Sequence, residues 1–258
     1  LADADNNIWI GTYGDGVYFL HGQKNKFIHI SNNLKDPYSI SGNNIKSISI
    51  AKNGRLYVGI AGKGIDELNN KFFKIRTITK QNLGKSGISS NLINYVYPDS
   101  KGNIWIGSNG LDKMSGNATA VTRFEYSFLT NTHAVCEDKY GAVWIGSENG
   151  LTRFINNKFD DSFNKIVKQR IDVRALLIHN DIIWIGTYGN GLLSYNPMNG
   201  KIINYENTDL TQNFISSLRA KGDNLFIATL GGGIRQFSFL KKKYINDYNQ
   251  SNGLRSDF

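Results

Sequence analysis

One ten-residue stretch, Asn7-Ile8-Trp9-Ile10-Gly11-Thr12-Tyr13-Gly14-Asp15-Gly16, constrains the fold because it returns five more times. The returns read RLYVGIAGKG from Arg55, NIWIGSNG from Asn103, AVWIGSENG from Ala142, IIWIGTYGNG from Ile182 and NLFIATLGGG from Asn224. Their aromatic anchors are Trp9, Tyr57, Trp105, Trp144, Trp184 and Phe226, spaced 48, 48, 39, 40 and 42 residues apart. Self-similarity at such a period marks an array of supersecondary units, each burying its apolar face only against its neighbours.

The second unit shows the layout. Ile45–Ile50 is followed by the turn Ala51–Gly54, then Arg55–Ile60, the glycine turn Gly62-Lys63-Gly64, Ile65–Leu68, a turn at Asn69-Asn70, and Phe72–Arg76. These are four short runs of β-branched and aromatic residues bounded by Gly, Asn and Asp, which is strand chemistry. No segment sustains a 3.6-residue apolar period, so helix is expected to be nearly absent. Four antiparallel strands per unit, repeated, describe a β-propeller blade. The expected fold is all-β: six four-stranded blades in a single domain over residues 1–258. Gly11, Gly59, Gly107, Gly146 and Gly186 each follow their anchor by two positions, where a side chain is expected to strike the neighbouring blade.

The ends modify that expectation. Leu1 aligns with Ser49, Tyr97 and Cys136, each eight residues before its anchor, so the first blade is expected to lack its inner strand. Leu254–Phe258 aligns with the lead-in Ile88–Leu92 and announces a further unit, leaving two alternatives, a six-bladed ring or a fragment of a seven-bladed one.

Composition bounds the partners. Thirty Lys and Arg against 21 Asp and Glu give a formal charge of +9, which favours anionic ligands or simply keeps the surface soluble. The basic residues are spread over all units, and Lys241-Lys242-Lys243 stands in an outer-strand region with no nucleic-acid-binding signature beside it, so no nucleic-acid partner is expected. No run of 18 apolar residues occurs, so membrane attachment would come only from parts of a parent protein outside this chain. Cys136 is the single cysteine and reads as a buried, inert thiol.

The recurring Asp-x-x-Gly-x-Ile-Trp-Ile-Gly-Thr-x-Gly-Gly-Leu pattern resembles the two-component regulator propeller repeat. The lead-in Asp36-Pro37-Tyr38-Ser39-Ile40-Ser41 strengthens the likeness, and Tyr57, Phe226 and Ala228 are departures from it. The resemblance implies the periplasmic sensor half of a hybrid histidine kinase of the kind found in gut Bacteroidetes, homodimeric at full length. It also implies an oligosaccharide ligand controlling glycan-utilisation genes, with no enzymatic activity in the propeller itself. The alternatives are a metal-dependent propeller lyase of the streptogramin type and a structural or dimerisation propeller that binds nothing.

Catalytic signatures are sparse. His21, His29, His133 and His179 show no metal-ligand spacing. Asp3-Ala4-Asp5-Asn6-Asn7 is similar to a calcium loop but has Ile8 and Gly14 at the sixth and twelfth positions, where glycine and glutamate are needed. Gly14-Asp15-Gly16 and Gly231-Gly232-Gly233 lead into strands rather than helices, so they cradle no phosphate. No catalytic residue, metal or cofactor is therefore expected.

The candidate ligand site comes from alignment. The inner strands begin at Ile45, Ile93, Thr132, Val173 and Ile215, and the next residues are Lys46, Asn94, His133, Arg174 and Ser216. Period-two alternation puts Ile48, Val96, Val135, Leu176 and Leu218 on the same face as those second residues. In a propeller these positions ring the mouth of the central channel, which Lys46, His133 and Arg174 would make cationic. The turns after the anchor strands add Tyr13, Glu148, Tyr188 and Asn190, and a loop tyrosine is suited to stacking on a sugar. Two plainer readings stand beside this one: the charges solvate a channel end, and the tyrosines pack between neighbouring turns.

Overall fold

The computed structural model describes residues 7–22, 27–81, 87–116, 120–205 and 213–256. Six antiparallel sheets follow one another along the chain, and in each the strands pair in sequence order. The first holds three strands, Ile8–Gly11, Val17–Leu20 and Phe27–Ile30. The other five hold four each and begin with Ile45–Ile50, Tyr95–Pro98, Thr132–Glu137, Val173–His179 and Ile215–Lys221. The fold is that of β-propeller blades, as the repeat requires. An inner strand for the first blade would precede Asn7, outside the described residues.

The chain gathers into two compact units, Leu1–Tyr126 with Thr130–Thr132, and Ser127–Leu129 with His133–Phe258. Within each, the cores lie between consecutive blades. Trp9, Val17, Ile45 and Val58 pack together in the first unit, and so do Tyr57, Ile65, Ile93 and Ile106. In the second unit Trp144, Val173, Ile185 and Tyr195 form one core, and Trp184, Ile215, Ile227 and Phe237 another. The glycines two positions after the anchors allow this approach. A Cβ on Gly11 would lie 2.7 Å from Ile45 Cγ2, and one on Gly59 would lie 2.9 Å from Ile93 Cγ2, both below any tolerable contact.

Side-chain carboxylates close the blades. Asp66, fully buried, accepts from the Ser41 backbone N–H at 2.6 Å, the Ser41 hydroxyl at 2.8 Å and the Thr77 hydroxyl at 2.7 Å. Asp112 takes Ser89 in the same way, both bonds at 2.6 Å. These bonds pin the lead-in segment of a blade onto its own third strand. In the hairpin turns, Asp99 and Asp138 each accept the indole N–H of their anchor, Trp105 and Trp144, at 2.9 Å.

Three features bear on the sequence reading: helix is nearly absent, as expected, and two features of the strands differ from it. One short helix forms at Ser162–Val167, because Phe163 turns into the core beside Trp144 and Asn164 bonds both backbone groups of Leu151. The outer strand of the second blade is Lys74–Ile78 rather than Phe72–Arg76, since Phe72 takes φ +68° in the turn and packs edge-on against Trp9. The third concerns the inner strands. Pairing skips a residue between Ile45 and Ser47, between Val173 and Ala175, and between Ile215 and Ser217. A β-bulge breaks period-two alternation. Ile45 and Ile48 therefore both meet Gly11, and Val173 and Leu176 both meet Gly146. Ile48 and Leu176 share a face with the first residue of their strand, not with Lys46 and Arg174 as alternation predicts.

Candidate functional site

The bulges fall on Lys46, Arg174 and Ser216, so these side chains leave the ladder at the strand end instead of joining either packed face. Bulges commonly re-aim a side chain in this way beside functional sites. The eight predicted site residues resolve into two groups, each described within its own unit.

In the first unit, the turn Thr12-Tyr13-Gly14-Asp15-Gly16 is tied to the next blade. The N–H groups of Gly14 and Gly16 both donate to the Asn43 carbonyl, at 3.1 and 2.9 Å, and Tyr13 bridges to Asn44. The Thr12 hydroxyl closes the turn on the Gly16 carbonyl at 2.8 Å. Tyr13 is left 84% exposed, with Lys46 Nζ of the next blade 5.3 Å from its ring centre. No carboxylate among the described residues pairs with Lys46. Asn94 behaves differently: its side-chain amide donates to the carbonyls of Ser108 and Thr132, at 3.4 and 3.3 Å. That stitches its blade to the following lead-in and spends its donor on the backbone.

The second unit repeats the turn as Thr187-Tyr188-Gly189-Asn190-Gly191. Gly189 and Gly191 donate to the Asn213 carbonyl at 3.0 and 3.2 Å, Tyr188 bridges to Phe214, and the Thr187 hydroxyl bonds the Gly191 carbonyl at 2.7 Å. Asn190 is exposed at the tip, its N–H held by the Thr187 hydroxyl at 3.0 Å. Tyr188, 46% exposed, meets the Phe214 ring edge-on at 4.7 Å. Arg174 lies over its ring at 4.9 Å, and this arginine belongs to the same blade, not the next.

Asp172 organises the group. Its carboxylate takes Arg174 through two parallel bonds, at 2.8 and 2.7 Å, and its carbonyl accepts the Tyr188 N–H at 2.8 Å. A bidentate pair fixes the guanidinium plane as well as its charge. His133 is half-buried with no partner for its Nε2. Burial first, and the Arg174 charge second, hold its pKa below the ordinary histidine value, against the opposite pull of Asp172 and Glu148. Glu148 pairs with Arg170 at 3.2 Å, and Arg170 also donates to the Glu148 carbonyl at 2.9 Å.

Sequence reasoning missed Asp172, Arg170 and Phe214. Asp172 and Arg174 are two apart, a spacing that places side chains together in a strand, but alignment on Val173 set Asp172 outside the strand. Arg170 carried no such signal. Among the described residues no group of three or more His, Cys, Asp and Glu is gathered as for a metal ion. Nor is any described helix long and apolar enough to cross a membrane. Cys136 is half-buried against the Trp144 core, and burial pushes its thiol well above the usual range.

Residues 87–110 match a family model described as two component regulator propeller. Histidine kinase P4 of Formosa agariphila is 29% identical over 96% of this chain, and the chain spans 18% of that protein's length. Among solved structures, the extracellular domain of a protein described as a hybrid two component system, BT3049 from B. thetaiotaomicron, superposes with a TM-score of 0.69 at 21% identity. It covers 96% of this chain and 40% of its own. The extracellular domain of BT4673 from the same organism, described as a one component system, gives 0.73 at 22%, covering 100% of this chain and 34% of its own. A streptogramin B lyase gives 0.73 at 12%, covering 99% and 82%. These likenesses to solved structures are likenesses of fold.

Proposed function

We propose that this chain is the ligand-sensing propeller of an extracytoplasmic receptor of the hybrid histidine kinase type, and that it binds an oligosaccharide. The family model and the kinase relative support the receptor reading. A periplasmic location and a homodimeric parent protein are further parts of the same proposal. The observation that carries the ligand reading is the Asp172–Arg174–Tyr188 assembly, an exposed aromatic ring beside a fixed arginine–carboxylate pair. An aromatic face stacks on the apolar side of a pyranose, and a few converging polar groups orient it.

The chemistry refines the expectation of an acidic ligand. Arg174 is already compensated by Asp172, so the pair presents donors and acceptors to hydroxyl groups with little net charge. Lys46 is the uncompensated cation, and a carboxylate or sulfate would be drawn to it beside Tyr13.

Calorimetry with neutral and acidic oligosaccharides, on the wild type and single variants, separates the two stations. Arg174→Ala is expected to weaken binding of both ligand types by about tenfold, or 1.4 kcal/mol. Lys46→Ala is expected to weaken the acidic ones alone. Unchanged affinity in Arg174→Ala for every ligand that binds removes the second-unit station from the proposal.

A further inference from the structure

The fifth blade lacks an internal contact that the third and fourth blades make. In the third and fourth blades the hairpin-turn carboxylate accepts the indole N–H of the anchor tryptophan. Trp105 pairs across the ladder with Tyr97, and Asp99 stands two residues beyond that partner. Trp184 pairs with Leu177, which puts His179 in the equivalent place. The sequence hides this, because counting six residues back from the anchor reaches Ile178. The shift arises from a two-residue turn, Asn180-Asp181, with both residues at positive φ, where the second, third and fourth blades use a longer one.

His179 does not take over the aspartate's task. Its ring stacks on Phe239 at 4.0 Å, and Trp184, only 5% exposed, keeps an Nε1–H with no partner. Both residues line a cavity of about 270 Å³. Tyr205 stacks on the Trp184 ring at 5.4 Å and forms another wall. Lys201 and Lys242 stand at the cavity, no Asp or Glu lines it, and neither lysine pairs with a carboxylate among the described residues. Strand direction alternates within a blade. The turn bearing Asn180 and the turn bearing Lys242 are therefore at the end opposite the Tyr188 turn, so this cavity is separate from the Arg174 station.

We infer that this cavity is a binding site for a small carboxylate with an apolar, ring-shaped body. The carboxylate supplies the acceptor that Asp99 and Asp138 supply in their blades, taking the Trp184 indole N–H and pairing with Lys201 and Lys242. The body lies among Tyr205, Phe239 and Ile203. A volume just under the roughly 300–1,000 Å³ of ordinary ligand sites suits one ring and not a chain of them. The inference is independent of the oligosaccharide reading, which concerns the other end of the blade.

The test follows the indole N–H resonances of the ¹⁵N-labelled full chain near pH 7.5, with the Trp184 signal assigned from Trp184→Phe. Titration with sodium benzoate is expected to move the Trp184 signal along a saturating curve, while benzamide leaves it in place. Lys201→Gln combined with Lys242→Gln is expected to weaken benzoate by about tenfold or more. His179→Asp restores an internal acceptor and is expected to abolish the benzoate response. A Trp184 signal that benzoate does not move overturns the inference, as does an equal response to benzamide or unchanged benzoate affinity in the double-glutamine variant. A response to glucuronate but not to benzoate overturns the apolar-bodied ligand.

Discussion

The turns at Tyr13 and Tyr188 are built alike and loaded differently. Both read Thr-Tyr-Gly-x-Gly, both donate two glycine N–H groups to one carbonyl of the following blade, and both carry a cation over the tyrosine ring. At Tyr13 the cation is Lys46, reaching in from the next blade as a point charge with a flexible stem. At Tyr188 it is Arg174 of the same blade, locked by Asp172, while the next-blade position equivalent to Lys46 is Ser216, whose hydroxyl turns to the Ala228 carbonyl at 3.3 Å. The turn sequence determines where the ring stands. Which cation reaches the ring, and how firmly, depends on the bulge residues of two different inner strands. One station is preorganised, and the other must be ordered by whatever binds it.

Four measurements break or sharpen that comparison, and all but the third read ΔG of unfolding in denaturant. The largest effect is expected for Ile45→Ala, which empties the floor beneath Lys46 where Ile45 meets Gly11. A loss of about 2–5 kcal/mol is expected, and one below about 1 kcal/mol would show that the loose station has no packed base. Next comes the cation's own anchoring. Asp172→Ala strands a partly buried guanidinium and is expected to cost about 1.5–3 kcal/mol. Lys46→Ala is expected to stay within about 0.5 kcal/mol. Equal losses would erase the distinction between the stations.

The third measurement is stability against pH. His133 has its folded pKa held below its unfolded value, so the unfolded chain binds the proton more tightly. Its contribution is undiminished above the unfolded pKa and is lost as pH falls from there toward the folded value. His133→Gln is expected to flatten that part of the acid limb in a pH series of melting curves, and an unaltered limb would mean that burial and the Arg174 charge do not depress the His133 pKa. The smallest effect concerns the rings. Tyr188→Ala is expected to cost about 0.5–1.5 kcal/mol through its edge contact with Phe214. Tyr13→Ala, at an 84% exposed ring, should cost less than about 0.5 kcal/mol. A larger loss at Tyr13 would mean that its ring is packed after all.

The sequence by itself determined the blades. Six anchors, five of them with glycine two positions on, alternating strands and Asn/Asp/Gly turns are local signals, and a repeat multiplies each of them. The placement of four side chains of the candidate site, Lys46, Arg174, Tyr13 and Tyr188, at strand ends and turns was also legible, because equivalent positions in a repeat stand at equivalent places. Tertiary structure decided the rest. A bulge adds a residue without any composition mark, so the face shared by Ile45 and Ile48 emerges only from pairing and packing. Asp172 becomes the organiser of its station because the bulge turns Arg174 back onto it. Asn94 looked like a ligand donor, yet two backbone carbonyls from neighbouring segments engage its amide. His179 stands where aspartate stands elsewhere only because its hairpin turn is shorter than those of the preceding blades. The physical reason is common to all four: each depends on ladder register or on a contact between segments distant in sequence, and a pattern of residue types along one strand carries neither.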